Sequence, residues 1–303
     1  KLHMKDSTIT NKILNWYDIN RRVLPWRKKV SHKKKQYYTL VSEFMLQQTQ
    51  VATVIPYFNR FIKNIPDLET LANFENHKLI KLWEGLGYYS RVRNLKKTAL
   101  LVIKKFDKKL PRNYSDLKSL PGIGDYTASA ISAIAFNKRI IPLDGNIERV
   151  LKRYLYLKKE NEINKENLIE KKKIFGYSNR ASDYAQALME LGALICKPSN
   201  PHCEQCPISS KCIALKKKDF LLTKIKKKNN NKYYLLKVYK DKSKYLLIKN
   251  TKFNFLKNFS IFPMQELSKP LSSTDIVNFK MSNMNMNIKI EHKNKVGSLP
   301  TSH

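Results

Sequence analysis

From Thr8 to Leu215 apolar residues recur at spacings of three and four, the period of helices that bury one face. The longest such runs are Leu40–Ile62, Leu68–Leu86, Arg93–Phe106 and Ala181–Ile195, and shorter helices are expected over Ser115–Ser119, Tyr126–Phe136 and Ile147–Leu155. Lys216–Lys218 and Lys226–Asn231 are charged and asparagine-rich with little to bury, so residues 216–231 read as a linker. Beyond them the period changes. Tyr233–Tyr239 and Lys244–Ile248 are rich in aromatic and branched residues and predict two strands joined by Lys240–Ser243. The pattern divides the chain into a helical domain, residues 1–215, and a smaller domain, residues 232–303. No repeat of fixed period occurs.

The length, 303 residues, suits two such domains. Lys and Arg number 59 against 24 Asp and Glu, a formal charge of +35, which favours an anionic polymer as partner: nucleic acid before a membrane surface. No run approaches the roughly 20 apolar residues of a membrane span. The first residues lack the apolar core of a secretory signal, so a soluble, cytoplasmic protein is expected. All four cysteines lie between Cys196 and Cys212, too local for a disulfide framework and suited to a metal-holding loop in a reducing compartment.

Those cysteines, Cys196, Cys203, Cys206 and Cys212, have the spacing C-x6-C-x2-C-x5-C. Four thiolates this close can share zinc or a 4Fe-4S cluster, and both take four sulfur ligands. Leu120-Pro121-Gly122-Ile123-Gly124, between two helical runs, reads as a helix-hairpin-helix. Gly122 and Gly124 allow a tight turn, and the amides opening the second helix can donate to a phosphate without reading sequence. Asp144, in Leu143-Asp144-Gly145-Asn146, precedes a helix, where the plainer reading is a capping carboxylate. Glu43 has Leu40 and Leu46 three residues to either side, so its carboxyl is expected to be partly desolvated and its pKa raised; the plainer reading is a glutamate facing water.

Leu24-Pro25-Trp26-Arg27, Glu43-Phe44-Met45-Leu46-Gln47-Gln48-Thr49-Gln50-Val51 and Gly85-Leu86-Gly87-Tyr88-Tyr89-Ser90-Arg91 accompany the hairpin, the aspartate and the cysteine loop. Together they resemble the MutY-type adenine DNA glycosylases of the endonuclease III superfamily, from about Asn15 to Leu215. The resemblance implies a mainly α helix-hairpin-helix glycosylase fold: a six-helix barrel, a helical domain bearing a 4Fe-4S cluster, and a short α+β Nudix-like domain. It implies a monomer acting on double-stranded DNA that carries adenine opposite 8-oxoguanine or guanine. By motif position, Glu43 protonates the flipped adenine, Asp144 stabilises the cationic sugar, and Asn146 orients Asp144. Tyr126 stands where relatives that also cut the strand carry a lysine. Leu24, Trp26, Arg27, Leu46, Val51 and Gln186 match the adenine pocket. Gln48 and Tyr88 match residues that wedge into the duplex, Thr49 and Leu86 contact the orphaned 8-oxoguanine, and Gly122 and Gly124 bind the backbone.

In the last 70 or so residues the resemblance is thinner. Leu246–Lys249 and Phe255–Pro263 match a Nudix strand and loop, after which a helix is expected. Glu266 and Glu291 are too isolated to form the acidic cluster that a pyrophosphatase needs for Mg²⁺. The Phe-Ser-His loop by which relatives recognise 8-oxoguanine has no clear equivalent. Three other readings share parts of the pattern: an endonuclease III type enzyme, which would place lysine at Tyr126; a DNA-binding relative without catalysis; and a zinc-bearing nucleic-acid module.

Overall fold

A computed structural model describes residues 8–222, 232–242, 244–253, 256–257, 259–269, 279–280 and 287–288. Two compact units divide at residues 225 and 226. The first unit is helical throughout: α1 Thr8–Asn20, α2 His32–Leu46, α3 Val51–Asn64, α4 Leu68–Asn73, α5 Asn76–Trp83, α6 Ser90–Lys105, α7 Tyr114–Ser119, α8 Asp125–Phe136, α9 Gly145–Leu155, α10 Lys165–Lys171, α11 Ala181–Glu190 and α12 Ile213–Lys216.

Short polar side chains open many of these helices. Asp67 accepts from the Thr70 amide at 2.8 Å, Asn164 from that of Asn167 at 2.8 Å, and Asp144 from that of Ile147 at 2.7 Å, each satisfying an otherwise orphaned donor. The expected helix over Leu40–Ile62 is two helices. The chain turns at residues 47–50, where Gln48 takes a left-handed φ of +57°. The run Leu68–Leu86 likewise splits at Phe74 and Glu75 and ends at Trp83, leaving Gly85 at φ +95° and Gly87 at +67° in a loop.

Two apolar cores result. One joins α2–α8 around Phe44, Phe61 and Trp83. The other joins α1 to α9, α10 and α11 around Ile13, Phe175 and Tyr184, with Cys196, Cys206 and Cys212 packed at its edge. Each such large side chain contributes about 1.5–3 kcal/mol by leaving water. The N-terminal helix thus packs with the second half of the sequence. α2 and α8 lie together in the first core, and α11 bridges α8 and α9.

The segment after α12 departs from the expected linker. The Tyr156 hydroxyl donates to Asp219 at 2.7 Å, and Arg153 Nε to the Phe220 carbonyl at 3.1 Å, so residues 216–222 lie against the end of α9. Residues 223–231, including Lys226–Asn231, lie outside the described residues.

In the second unit β1 Tyr233–Leu236 pairs antiparallel with β6 Met264–Leu267, in the register Tyr233 to Leu267. β2 Lys240–Asp241 and β3 Lys244–Tyr245 form the expected turn, but β1 does not continue into that hairpin. β4 Ile248–Lys249 pairs with β5 Ser260–Ile261, and β7 Phe279–Lys280 with β8 Asn287–Ile288. No helix follows Pro263 directly: the next residues extend as β6, because β1 needs an edge partner there and the Pro263 carbonyl accepts from Lys237 at 2.8 Å. Phe255, Asn258, Glu291 and the final residues Leu299–His303 lie outside the described residues.

Candidate active site

Glu43 lies on the buried face of α2, 4% exposed. Burial pushes its carboxyl up to about 7; the charge of Asp144 adds to this, while a hydrogen bond from Tyr126 and the charge of Arg27 oppose it. Glu43 Oε2 is buried with no hydrogen-bond partner. A carboxylic acid in that state can give up a proton near neutrality.

Asp144 caps α9 and is half-buried. Its Oδ1 accepts the Ile147 amide at 2.7 Å and its Oδ2 accepts Asn146 Nδ2 at 3.0 Å. Burial raises its pKa, while those bonds and the charge of Arg149 pull it back. The plainer reading of Asp144 as a cap is therefore correct and does not exclude a second role, because its charge also raises the pKa of Glu43. Tyr126, on the first turn of α8, donates to Glu43; burial and the charges of Glu43 and Asp144 raise its pKa, so its hydroxyl stays protonated.

Asn146 is held from behind. Arg149 Nη2 donates to Asn146 Oδ1 and to the Gly192 carbonyl, both at 2.7 Å, and Arg149 Nε donates to the Cys196 carbonyl at 2.7 Å. Gly192 belongs to a π-helical turn, Leu191–Ile195, that follows α11 and ends at Cys196. One guanidinium thus ties the Asp144 partner to the cysteine loop.

The residues expected to form the base pocket come from several elements. Leu24 is buried, and Pro25–Arg27 forms a single helical turn whose Trp26 ring meets Phe58 edge-on at 5.3 Å. Leu46 and Val51 flank the break between α2 and α3. Gln186 is buried on α11, donating from Nε2 to the Ser182 carbonyl at 3.0 Å. Arg27 Nη2 meets Glu190 Oε1 at 2.9 Å, and Arg22 meets the same carboxylate through Nε at 2.9 Å and Nη2 at 2.7 Å. Burial alone would raise the Glu190 pKa, but the two guanidiniums outweigh it and hold the carboxyl below its ordinary value. Glu190 and Arg149 were not among the residues expected from sequence; one charged side chain on a helix looks like a solvated one until its neighbours are placed.

The hairpin glycines differ. Gly122 has φ +79°, and a β carbon there would come within 2.8 Å of Phe44 and 2.9 Å of Asn94. Gly124 has ordinary φ, caps α8 and meets nothing within 4 Å, leaving the helix start open to a ligand. Gln47 Nε2 donates to the Gly122 carbonyl at 3.3 Å and to Thr127 at 3.4 Å, joining the hairpin to the end of α2. Beyond it Gln48 is exposed, Thr49 half-buried, Leu86 buried and Tyr88 49% exposed, with Tyr88 at φ +45°.

Cys196, Cys203, Cys206 and Cys212 line one cavity with Arg153, Leu215 and Phe220. Burial raises the thiols of Cys203 and Cys212 and pushes that of Cys206 up to about 12, so four thiolates there require a cation among them. Among the described residues no three His, Cys, Asp or Glu side chains converge as ligands of one ion. Four cysteines lining one cavity, with Arg153 donating to Cys196 Sγ at 3.4 Å, offer the sulfur donors that either zinc or an iron-sulfur cluster takes.

Residues 41–173 match the HhH-GPD superfamily of base excision DNA repair proteins. The adenine DNA glycosylase of Buchnera aphidicola subsp. Schizaphis graminum is 39% identical over 260 residues, 83% of this chain and 73% of that protein. The chain belongs to the adenine DNA glycosylase family. A second member of that family, from Buchnera aphidicola subsp. Baizongia pistaciae, is 41% identical over 80% of this chain, which spans 64% of that relative's length. The fold matches a solved thermostable thymine-DNA glycosylase with a TM-score of 0.61 and 27% identity, over 69% of this chain and 95% of the other. Among the described residues no helix is long and apolar enough to cross a membrane.

Proposed function

We propose that the chain is a monofunctional base excision repair glycosylase that extrudes adenine paired with 8-oxoguanine, or with guanine, from double-stranded DNA and hydrolyses its bond to the sugar. The observation that carries this is the pairing of two carboxyls in unlike surroundings: Glu43, raised to about 7 and with an unpartnered oxygen, beside Asp144, held as a hydrogen-bonded carboxylate. The Glu43 proton passes to adenine N7, and the C1′–N9 electron pair leaves with the base. Asp144 offsets the positive charge that develops on the sugar. Water then adds to C1′, and its proton returns to the carboxylate pair.

Arg27, anchored by Glu190 and with its Nε buried without a partner, supplies a donor that suits a purine edge, together with Leu24, Trp26, Leu46, Val51 and Gln186. Gln48 and Tyr88 fill the gap left in the stack, with Thr49 and Leu86 against the orphaned base; extrusion costs a few kcal/mol, less for a mispair. Gly122 and Gly124 present the hairpin to a phosphate. Cys196, Cys203, Cys206 and Cys212 would hold a 4Fe-4S cluster, which would shape the basic loop bearing Lys197 and Lys211 for the DNA backbone. Tyr126 offers no amine for a Schiff base, so strand cleavage does not accompany excision. The protein acts as a cytoplasmic monomer, and residues 232–303 contribute recognition of 8-oxoguanine without pyrophosphatase activity.

Release of free adenine from an adenine:8-oxoguanine duplex, followed by chromatography, tests the reading. The wild-type protein releases it and Glu43→Gln does not; equal release by both would refute the assignment of Glu43.

A further inference from the structure

Arg91, on the first turn of α6, is 5% exposed and makes no ion pair among the described residues. Its guanidinium is spent on two loops distant in sequence. Nη1 donates to the carbonyls of Phe44 at 3.3 Å, Met45 at 2.7 Å and Gln47, and to Thr49 Oγ1 at 3.0 Å. Nη2 donates to the carbonyls of Leu86 at 2.9 Å and Gly87 at 3.2 Å. The rings of Tyr88 and Trp83 each lie 5.5 Å from its central carbon.

The carbonyls at the close of α2 have no partners within the helix, and Arg91 satisfies them in place of water. A guanidinium buried without a carboxylate is a poor source of stability. What the arrangement delivers is geometry. The two loops also hold Gln48 at φ +57° and Tyr88 at φ +45°, left-handed conformations that residues with a β carbon rarely adopt and that persist only where the surroundings impose them.

We infer that Arg91 is a positioning residue for base extrusion: it clamps the loop carrying Gln48 and Thr49 to the loop carrying Leu86 and Tyr88, so that both enter the duplex as one rigid wedge. This rests on the proposed role of those four residues. Arg91 touches neither the adenine nor the sugar. Lysine cannot replace it, because one ammonium lacks the fork that spans both loops.

The test uses the full chain and two duplexes, one with adenine opposite 8-oxoguanine and one with adenine opposite an abasic spacer, where no partner base resists extrusion. Arg91→Lys is expected to lower single-turnover excision from the first by about tenfold or more, and from the second much less. It should also weaken the fluorescence rise of 2-aminopurine placed at the target position. Gly85→Ala is the second variant, since Gly85 sits at φ +95°, a conformation that a β carbon strains, so that the same loop is displaced with Arg91 intact; it should show the same pattern. Equal losses on both duplexes would reduce Arg91 to a merely structural residue and overturn the proposal. Tyr88→Ala separates the two layers. If it abolishes the fluorescence rise while Arg91→Lys does not, the clamp alone fails; if Tyr88→Ala leaves the rise intact, the wedge reading fails and takes the clamp with it.

Discussion

Gly192 lies so close to Asn146 that a β carbon added to it would fall 2.6 Å from Asn146 Cβ and 2.9 Å from the Asn146 carbonyl oxygen. The π-helical turn brings its backbone there, and Arg149 bonds both residues at 2.7 Å. Because Asn146 donates to Asp144, the glycine fixes the carboxylate at one remove.

Gly192→Ala should therefore push Asn146 off Asp144. A displacement near 1 Å costs on the order of 10²-fold in rate, so single-turnover excision is expected to fall by that order while DNA binding, followed by fluorescence anisotropy, stays within a few fold. An unchanged rate would show that Asn146 can yield without moving Asp144.

Glu43 acts as an acid, so excision should be retained below its pKa of about 7 and lost as pH rises through it. The Tyr126 hydrogen bond lowers that value. Tyr126→Phe should accordingly move the alkaline limb of the rate profile to higher pH. A limb that stays in place, or moves down, would mean that the hydroxyl does not bear on Glu43.

The same shift makes a prediction about stability. Glu43 has a folded pKa of about 7 against an ordinary 4.5, so the folded state holds the proton more tightly than the unfolded chain. The cost of ionising it in the folded state is absent below about pH 4.5 and grows between there and about 7 to roughly 3 kcal/mol at most. Glu43→Gln removes the charge, so at pH 8 it should melt above the wild-type protein while losing activity. A variant that melts lower at pH 8 would indicate that the carboxylate is stabilised by partners not evident in its surroundings.

The helical half was legible in sequence because its period is strong and its apolar faces continuous. Its breaks were not: Gln48 and Glu75 carry no glycine or proline to announce a turn, and Arg91, which bonds the carbonyls at the split of Leu40–Ile62, comes from another helix. Glu43 and Asp144 could be picked out by motif, and the structure adds their surroundings. Arg149, Glu190 and Arg91 escaped because a buried charge looks like a solvated one until its partners are placed. In the second unit, strands of two to four residues are too short for a period to decide, and β6, paired with β1, occupies the residues directly after Pro263 where a helix is expected.

The cysteine cavity predicts a brown protein with about four irons and four sulfides per chain. Cys206→Ser should lower both, bleach the visible absorbance and reduce the melting temperature, since the thiols pack at the edge of the second core. A colourless wild-type protein carrying one zinc would support the zinc-module reading instead.

The most direct test of the central claim is a single-turnover assay on three duplexes, with adenine opposite 8-oxoguanine, adenine opposite guanine, and thymine glycol opposite adenine, each read with and without alkali. Adenine should be excised from the first two, with strand breakage only after alkali, and the third should be left intact. Excision of thymine glycol with breakage in the absence of alkali would contradict it and support an endonuclease III type activity.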